Sequence, residues 1–128
     1  MVDANRHLRH SAYADFAAQT RIELLKLMGF DQDVLKSLNV GPILFREELI
    51  YKREINLSER IQVTCLLSSW NPERGFWSFR QEILKADGAL AAIVNVDGAW
   101  LDLQARKLTA LPTILNEAFA QIPRYTAV

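Results

Sequence analysis

The sequence predicts an α+β fold, one long helix packed on an antiparallel sheet, in a single domain spanning residues 1–128. Three observations carry that expectation. Apolar residues recur with a period near 3.6 up to about residue 28, and with a period of 2 from about residue 43. Turn-forming clusters then divide the remainder into consecutive extended segments. Half of the 128 residues are hydrophobic, which suffices for one real core and excludes a disordered chain.

From Ser11 to Met28, Tyr13, Phe16, Ala17, Leu24, Leu27 and Met28 return at intervals of three or four, with a gap at Thr20-Arg21. That spacing predicts an amphipathic helix beginning near Ser11 and ending before Gly29. Asp31 to Asn39 reads as a short second helix, stopped by Gly41-Pro42. Ile43 to Ile55 reads as a long strand, with Phe45, Leu49 and Tyr51 on one face and Ile50, Lys52 and Glu54 on the other. Arg60 to Trp70 is a second strand, and Asn71-Pro72-Glu73-Arg74-Gly75 a turn. Phe76 to Leu84 is a third, and Asp87-Gly88 a hairpin turn. Ala89 to Leu103 is a fourth, in which Asp97-Gly98 implies a bulge or bend. Pro112 to Ile122 closes the chain as a short helix. Strands joined by tight turns pair antiparallel, and the long helix buries its stripe against one face. The sheet's open edges favour dimerisation.

Charge narrows the functional classes. The chain has 15 Lys+Arg and 15 Asp+Glu, nine of each sign in residues 1–60 and six of each in 61–128. With no basic excess in either half, nucleic acid and membrane surfaces are not expected partners. No apolar run approaches the ~20 residues of a bilayer span, and Met1-Val2-Asp3-Ala4-Asn5-Arg6 lacks a signal peptide's apolar core. A soluble, cytoplasmic protein is the expectation. Cys65 is the only cysteine, so neither a disulfide framework nor a multi-Cys zinc site is available, and it reads as a buried structural thiol. His7 and His10 lack a further cluster to complete a metal site, so no metal and no cofactor are expected. Ser11 has no Gly-x-Ser-x-Gly setting, and the scattered glycines cradle no phosphate. Trp70, Trp77 and Trp100 read as packing or interface residues.

Two clusters are chemically capable. In the first, Asp3, Asn5 and His7 alternate just before the long helix, so an extended segment would aim all three side chains into one pocket. A carboxylate serves as nucleophile or general base, an amide holds water or substrate, and an imidazole orients or protonates. Backbone N–H groups from about His10 onward are free at the helix start and suit a developing oxyanion. That combination fits acyl transfer; the alternative is a polar capping loop. The second cluster is Tyr51-Lys52-Arg53-Glu54 at the end of the first strand, where Glu54 is either a reactive carboxylate or half of a solvated Lys52–Glu54 ion pair.

At these residues the sequence resembles the hotdog-fold thioesterases, the 4-hydroxybenzoyl-CoA and acyl-CoA/acyl-ACP thioesterase group. Asp3-x-Asn5-x-His7-Leu8 followed by Tyr13 is similar to that group's Asp-x-Asn-x-His-Val-Asn-Asn-x-x-Tyr signature at the entry to its central helix. Tyr51-x-Arg53-Glu54 is similar to a Tyr-Arg-Arg-Glu stretch of the acyl-ACP enzymes, and Gly98-Ala99-Trp100-Leu101-Asp102-Leu103 to the family's last strand. The resemblance implies a hotdog fold and hydrolysis of an acyl-CoA or acyl carrier protein thioester by a homodimer or homotetramer. It places Asp3 on the catalytic carboxylate, Asn5 and His7 on the motif's other polar positions, His10 on the oxyanion amide and Glu54 on the second carboxylate. It also implies an acyl chain lying along the helix near Tyr13, Phe16 and Ala17. The sequence departs from the pattern in Arg9-His10 for the paired Asn, Arg6 for Gly or Gln, and Ile55 for Cys. Only Met1-Val2 stand where the family has a strand before the Asp, which implies a lost first strand or an upstream start. A non-catalytic hotdog module that binds acyl thioesters or assembles with partners is the main alternative, and a hotdog hydratase or dehydratase the other.

Overall fold

In the computed structural model of the chain, which describes residues 10–56 and 58–126 (the side chains of His10 and Ser11 excepted), the long helix α1 spans His10–Leu27. It ends where Gly29 takes φ +88, a left-handed conformation that costs glycine little. There Gly29 N–H bonds the Lys26 carbonyl at 3.1 Å and Phe30 N–H bonds the Leu25 carbonyl at 2.7 Å, the paired pattern that closes orphan carbonyls at a helix end. The same turn drives Phe30 into the core. The short helix α2, Gln32–Ser37, starts at Asp31, whose carboxylate accepts from Val34 N–H at 2.9 Å.

Six strands follow: β1 Val40–Tyr51, β2 Gln62–Val63, β3 Leu66–Asn71, β4 Phe76–Leu84, β5 Leu90–Asp102 and β6 Lys107–Leu108. The short helix α3, Thr113–Phe119, comes last. All strand pairs are antiparallel and form one sheet in the order β1-β5-β4-β2, with β3 also on β4 and β6 on β5. The expected α+β architecture is therefore present, with four corrections in its details.

First, β1 does not pair with the strand that follows it. It crosses to the other side and pairs with β5 from Val40↔Asp102 to Tyr51↔Ala92, so the connection after Tyr51 is a long excursion rather than a tight turn. Second, the expected Arg60–Trp70 strand is two strands. Thr64 keeps one ladder bond to the Glu82 carbonyl (2.9 Å), but its hydroxyl takes the Glu82 N–H at 3.0 Å that a regular strand's carbonyl would accept. Third, the bulge expected at Asp97-Gly98 lies on the facing strand. Leu44 pairs with Gly98 and Arg46 with Asp97, which leaves Phe45 as the extra residue. Fourth, that extra residue breaks the alternation, so Phe45 does not share a face with Leu49 and Tyr51. It is exposed and sits 6.0 Å from the Phe76 ring.

Along β4 the burial alternates strictly: Trp77, Phe79, Gln81 and Ile83 face α1, while Phe76, Ser78, Arg80 and Glu82 face away. Register then places Val94, Val96 and Leu49 on the helix side. α3 drops Phe119 into this core, 4.5 Å from the Trp70 ring and 5.7 Å from Trp100. The outer face carries a charge ladder instead: Ser78 donates to Asp97 (2.6 Å), and Arg46 pairs with Asp97 (3.3 Å) and Glu48 (2.9 Å). Such exposed pairs contribute only about 0.2–1 kcal/mol each, so the inner face drives folding and the ladder helps to select register. Among the described residues, no helix is long and apolar enough to cross a membrane.

Candidate active site

The site forms where β1 leaves the sheet beside the first turn of α1. Lys52 N–H and Arg53 N–H both turn onto the Ala91 carbonyl, at 2.8 and 3.0 Å, which ends the extended strand. Alternation stops with it. Glu54, expected on the opposite face from Tyr51, instead lines the same pocket of about 170 Å³ with Tyr13, Tyr51, Lys52 and Arg53.

Tyr13 joins the helix to this segment. Its ring meets Tyr51 edge-on at 5.1 Å. Its hydroxyl donates to the Arg53 carbonyl at 3.3 Å and receives a backbone hydrogen bond from Ile55. Burial raises the Tyr13 pKa above the usual phenol value; the Ile55 bond opposes this, and the negative charge of Glu54 adds to it. Ile55, buried to 2% exposure, anchors the far end of the segment. Glu54 itself is exposed to solvent at the pocket.

A nearly buried ion pair lies on the other side. Lys85 Nζ donates to the Glu54 backbone carbonyl and to Glu59 Oε1 at 3.0 Å, with the two side chains only 15% and 13% exposed. Glu59 also accepts from Asn56 N–H and Ala86 N–H, both at 3.1 Å. The Asn56 bond, with Lys85 next, holds the Glu59 carboxyl below the usual carboxylate range.

Of the residues singled out in the sequence, the structure brings together Glu54, Tyr13 and the start of α1. Asp3, Asn5 and His7 lie outside the described residues. His10 is the first residue of α1, so its backbone N–H belongs to the turn that has no intrahelical acceptors. Phe16 is half-buried, and Ala17 is fully buried, its carbonyl accepting from Gln81 Nε2 at 2.9 Å. Cys65 packs against the core, and burial pushes its thiol up to about 12, with Arg21 opposing. Among the described residues, no group of three or more His, Cys, Asp or Glu could hold a metal.

A second cavity, about 200 Å³, opens between α1 and the sheet, lined by Ala18, Ile22, Leu44, Trp77, Trp100 and Phe119 among others. Arg21 also lines it. This guanidinium donates to Gln81 Oε1 at 2.8 Å and stands 3.8 Å from Glu47. Burial lowers its pKa, which Glu47 and Cys65 oppose. Apolar periodicity alone does not reveal this polar set, but two features of the sequence mark it. Arg21 occupies the gap in the helix stripe, and Gln81 stands on the buried face between Phe79 and Ile83.

A long helix laid across an antiparallel sheet is the hotdog architecture of α+β proteins. The sequence pattern of the thioesterase-like superfamily matches residues 1–119, and the chain belongs to that superfamily. Solved structures agree on the fold. A Staphylococcus aureus protein described in complex with CoA superimposes with a TM-score of 0.91 at 18% identity, covering 99% of this chain and 80% of that one. The DHNA-CoA thioesterase of Staphylococcus aureus gives 0.82 at 18% identity, covering 94% and 81%. A 1,4-dihydroxy-2-naphthoyl-CoA thioesterase from Synechocystis gives 0.82 at 14%, covering 94% and 88%. No curated protein sequence matches the chain.

Proposed function

We propose that the chain is a thioester hydrolase that releases a carboxylic acid from an acyl-CoA or acyl carrier protein thioester at the start of α1. The observation that carries this reading is Glu54 lining one pocket with Tyr13 in the first turn of α1, in a chain whose superfamily pattern covers residues 1–119. The neighbour described with CoA supports a CoA thioester as the ligand.

In the proposed reaction, water attacks the thioester carbonyl while Asp3 or Glu54 accepts its proton, or one of these carboxylates attacks directly and water hydrolyses the resulting anhydride. The carbonyl oxygen becomes an oxyanion, which the His10 backbone N–H at the positive end of α1 stabilises. The C–S bond then breaks and the thiol leaves with a proton. Asn5 and His7 position water and substrate. The acyl chain lies along the helix beside Tyr13 and Phe16, in a homodimer or homotetramer.

The test is thiol release from acyl-CoA by Asp3→Asn and Glu54→Gln variants that melt at the wild-type temperature. One or both lose most of the turnover if the carboxylates react. Full turnover by both removes the carboxylates from the mechanism.

A further inference from the structure

The segment carrying Glu54 lies outside the sheet ladder, yet nearly every peptide unit in it is tied down. Lys52 N–H and Arg53 N–H bond the Ala91 carbonyl of β5. The Arg53 carbonyl and the Ile55 backbone are both bonded by the Tyr13 hydroxyl. The Glu54 carbonyl is bonded by Lys85, and Asn56 N–H by Glu59. The ties come from four places: α1, β5, the β4–β5 turn and, through Glu59, the segment's own continuation toward β2.

We propose that Tyr13, Lys85 and Glu59 form a clamp that fixes the peptide units on both sides of Glu54 and so aims its carboxylate; they are positioning residues for the reaction. The inference rests on the reading of Glu54 as a reacting carboxylate. Two physical arguments favour aim over stability alone. The Lys85–Glu59 pair also holds backbone on both sides, the Glu54 carbonyl through Lys85 and the Asn56 N–H through Glu59, so the stability it adds is tied to one course of this segment. The Tyr13 hydroxyl, for its part, bonds the two residues flanking Glu54 and so restrains rotation about the Glu54 backbone from both sides. A reacting group needs that restraint, since a misplacement of about 1 Å costs on the order of 100-fold in rate.

The clamp predicts a kcat effect exerted through Glu54. Tyr13→Phe keeps the ring packed on Tyr51 and removes only the hydroxyl. It lowers kcat about tenfold or more, with KM changed less than twofold, and has no further effect in the Glu54→Gln background. Lys85→Met acts in the same way, and Lys85→Arg, which keeps charge and donors, recovers part of the loss. Native-state hydrogen exchange gives a readout independent of turnover: the Ile55 and Asn56 amides exchange at least tenfold faster in Tyr13→Phe and Lys85→Met, while core amides of β5 are unchanged.

If Glu54→Gln is slow but Tyr13→Phe turns over normally, or its loss persists in full on Glu54→Gln, the clamp is wrong and the Glu54 reading stands. If Glu54→Gln hydrolyses acyl-CoA at the wild-type rate, the Glu54 reading fails and the clamp loses its catalytic role with it. Unchanged exchange at Ile55 and Asn56 overturns the clamp whatever the activity.

Discussion

Replacing Gly98 with alanine tests how closely β1, β4 and β5 approach one another. A Cβ at Gly98 would stand 2.3 Å from the Ile43 carbonyl oxygen and 2.4 Å from two atoms of the Trp77 indole. Carbon–oxygen contacts settle near 3.3 Å, so about 1 Å of relief is required. The Ile43 oxygen belongs to the β1 backbone, next to the Leu44↔Gly98 pairing, and cannot swing away. The indole is 6% exposed and packs 5.4 Å from Phe79. Neither neighbour yields cheaply, which puts the loss near the upper end of the overpacking range, about 3 kcal/mol. At roughly 4 °C per kcal/mol for a domain of this size, the melting temperature falls by about 12 °C. Gly41→Ala is the internal control, because its Cβ meets only the flexible end of Leu103 at 3.2 Å. It shifts melting by no more than about 2 °C. Thermal melts followed by tryptophan fluorescence read both variants. Equal melting temperatures for Gly98→Ala and Gly41→Ala refute the close approach of β1 and Trp77 to Gly98.

Gln81→Leu deprives the Arg21 guanidinium of its hydrogen bond and costs about 2 kcal/mol in urea unfolding. Adding Arg21→Met restores most of the loss, and a purely additive double variant contradicts the pairing. The Cys65 thiol, pushed up to about 12, stays unalkylated in the folded protein at pH 8 and reacts in urea; rapid native labelling shows that it is not desolvated. Since the thiol is raised from 9.0, it favours folding fully below pH 9.0 and progressively less as pH rises toward about 12. Glu59 has the opposite sign. Its carboxyl is held below the usual 4.5, so its contribution is present above pH 4.5 and is lost on further acidification. Glu59→Gln therefore destabilises at pH 7 but progressively less below pH 4.5, and a gap independent of pH counts against the Asn56 and Lys85 contacts.

The sequence made the period-driven part of the fold legible. The gap-toothed stripe of α1 and the alternation Trp77, Phe79, Ile83 follow directly from which face must leave water. Long-range pairing was not legible, because nothing in β1 says that it joins β5 rather than the next strand. Register was hidden for a related reason: the extra residue at Phe45 depends on what Gly98 admits across the ladder. For the site, Tyr13 and Glu54 were found as separate motifs. Their meeting depends on β1 ending at Tyr51, which the Ala91 carbonyl decides from another strand. Lys85 and Glu59 carry no motif, since a lysine before a hairpin turn looks like any solvated charge.

Thioester hydrolysis itself is tested most directly by free-thiol release when the purified wild-type chain meets a panel of acyl-CoA substrates. Saturable, enzyme-dependent thiol release from at least one of them is the expected result, lost together with Asp3 or Glu54. Saturable binding with every thioester left intact, or a chemically altered acyl chain still joined to CoA, would contradict it.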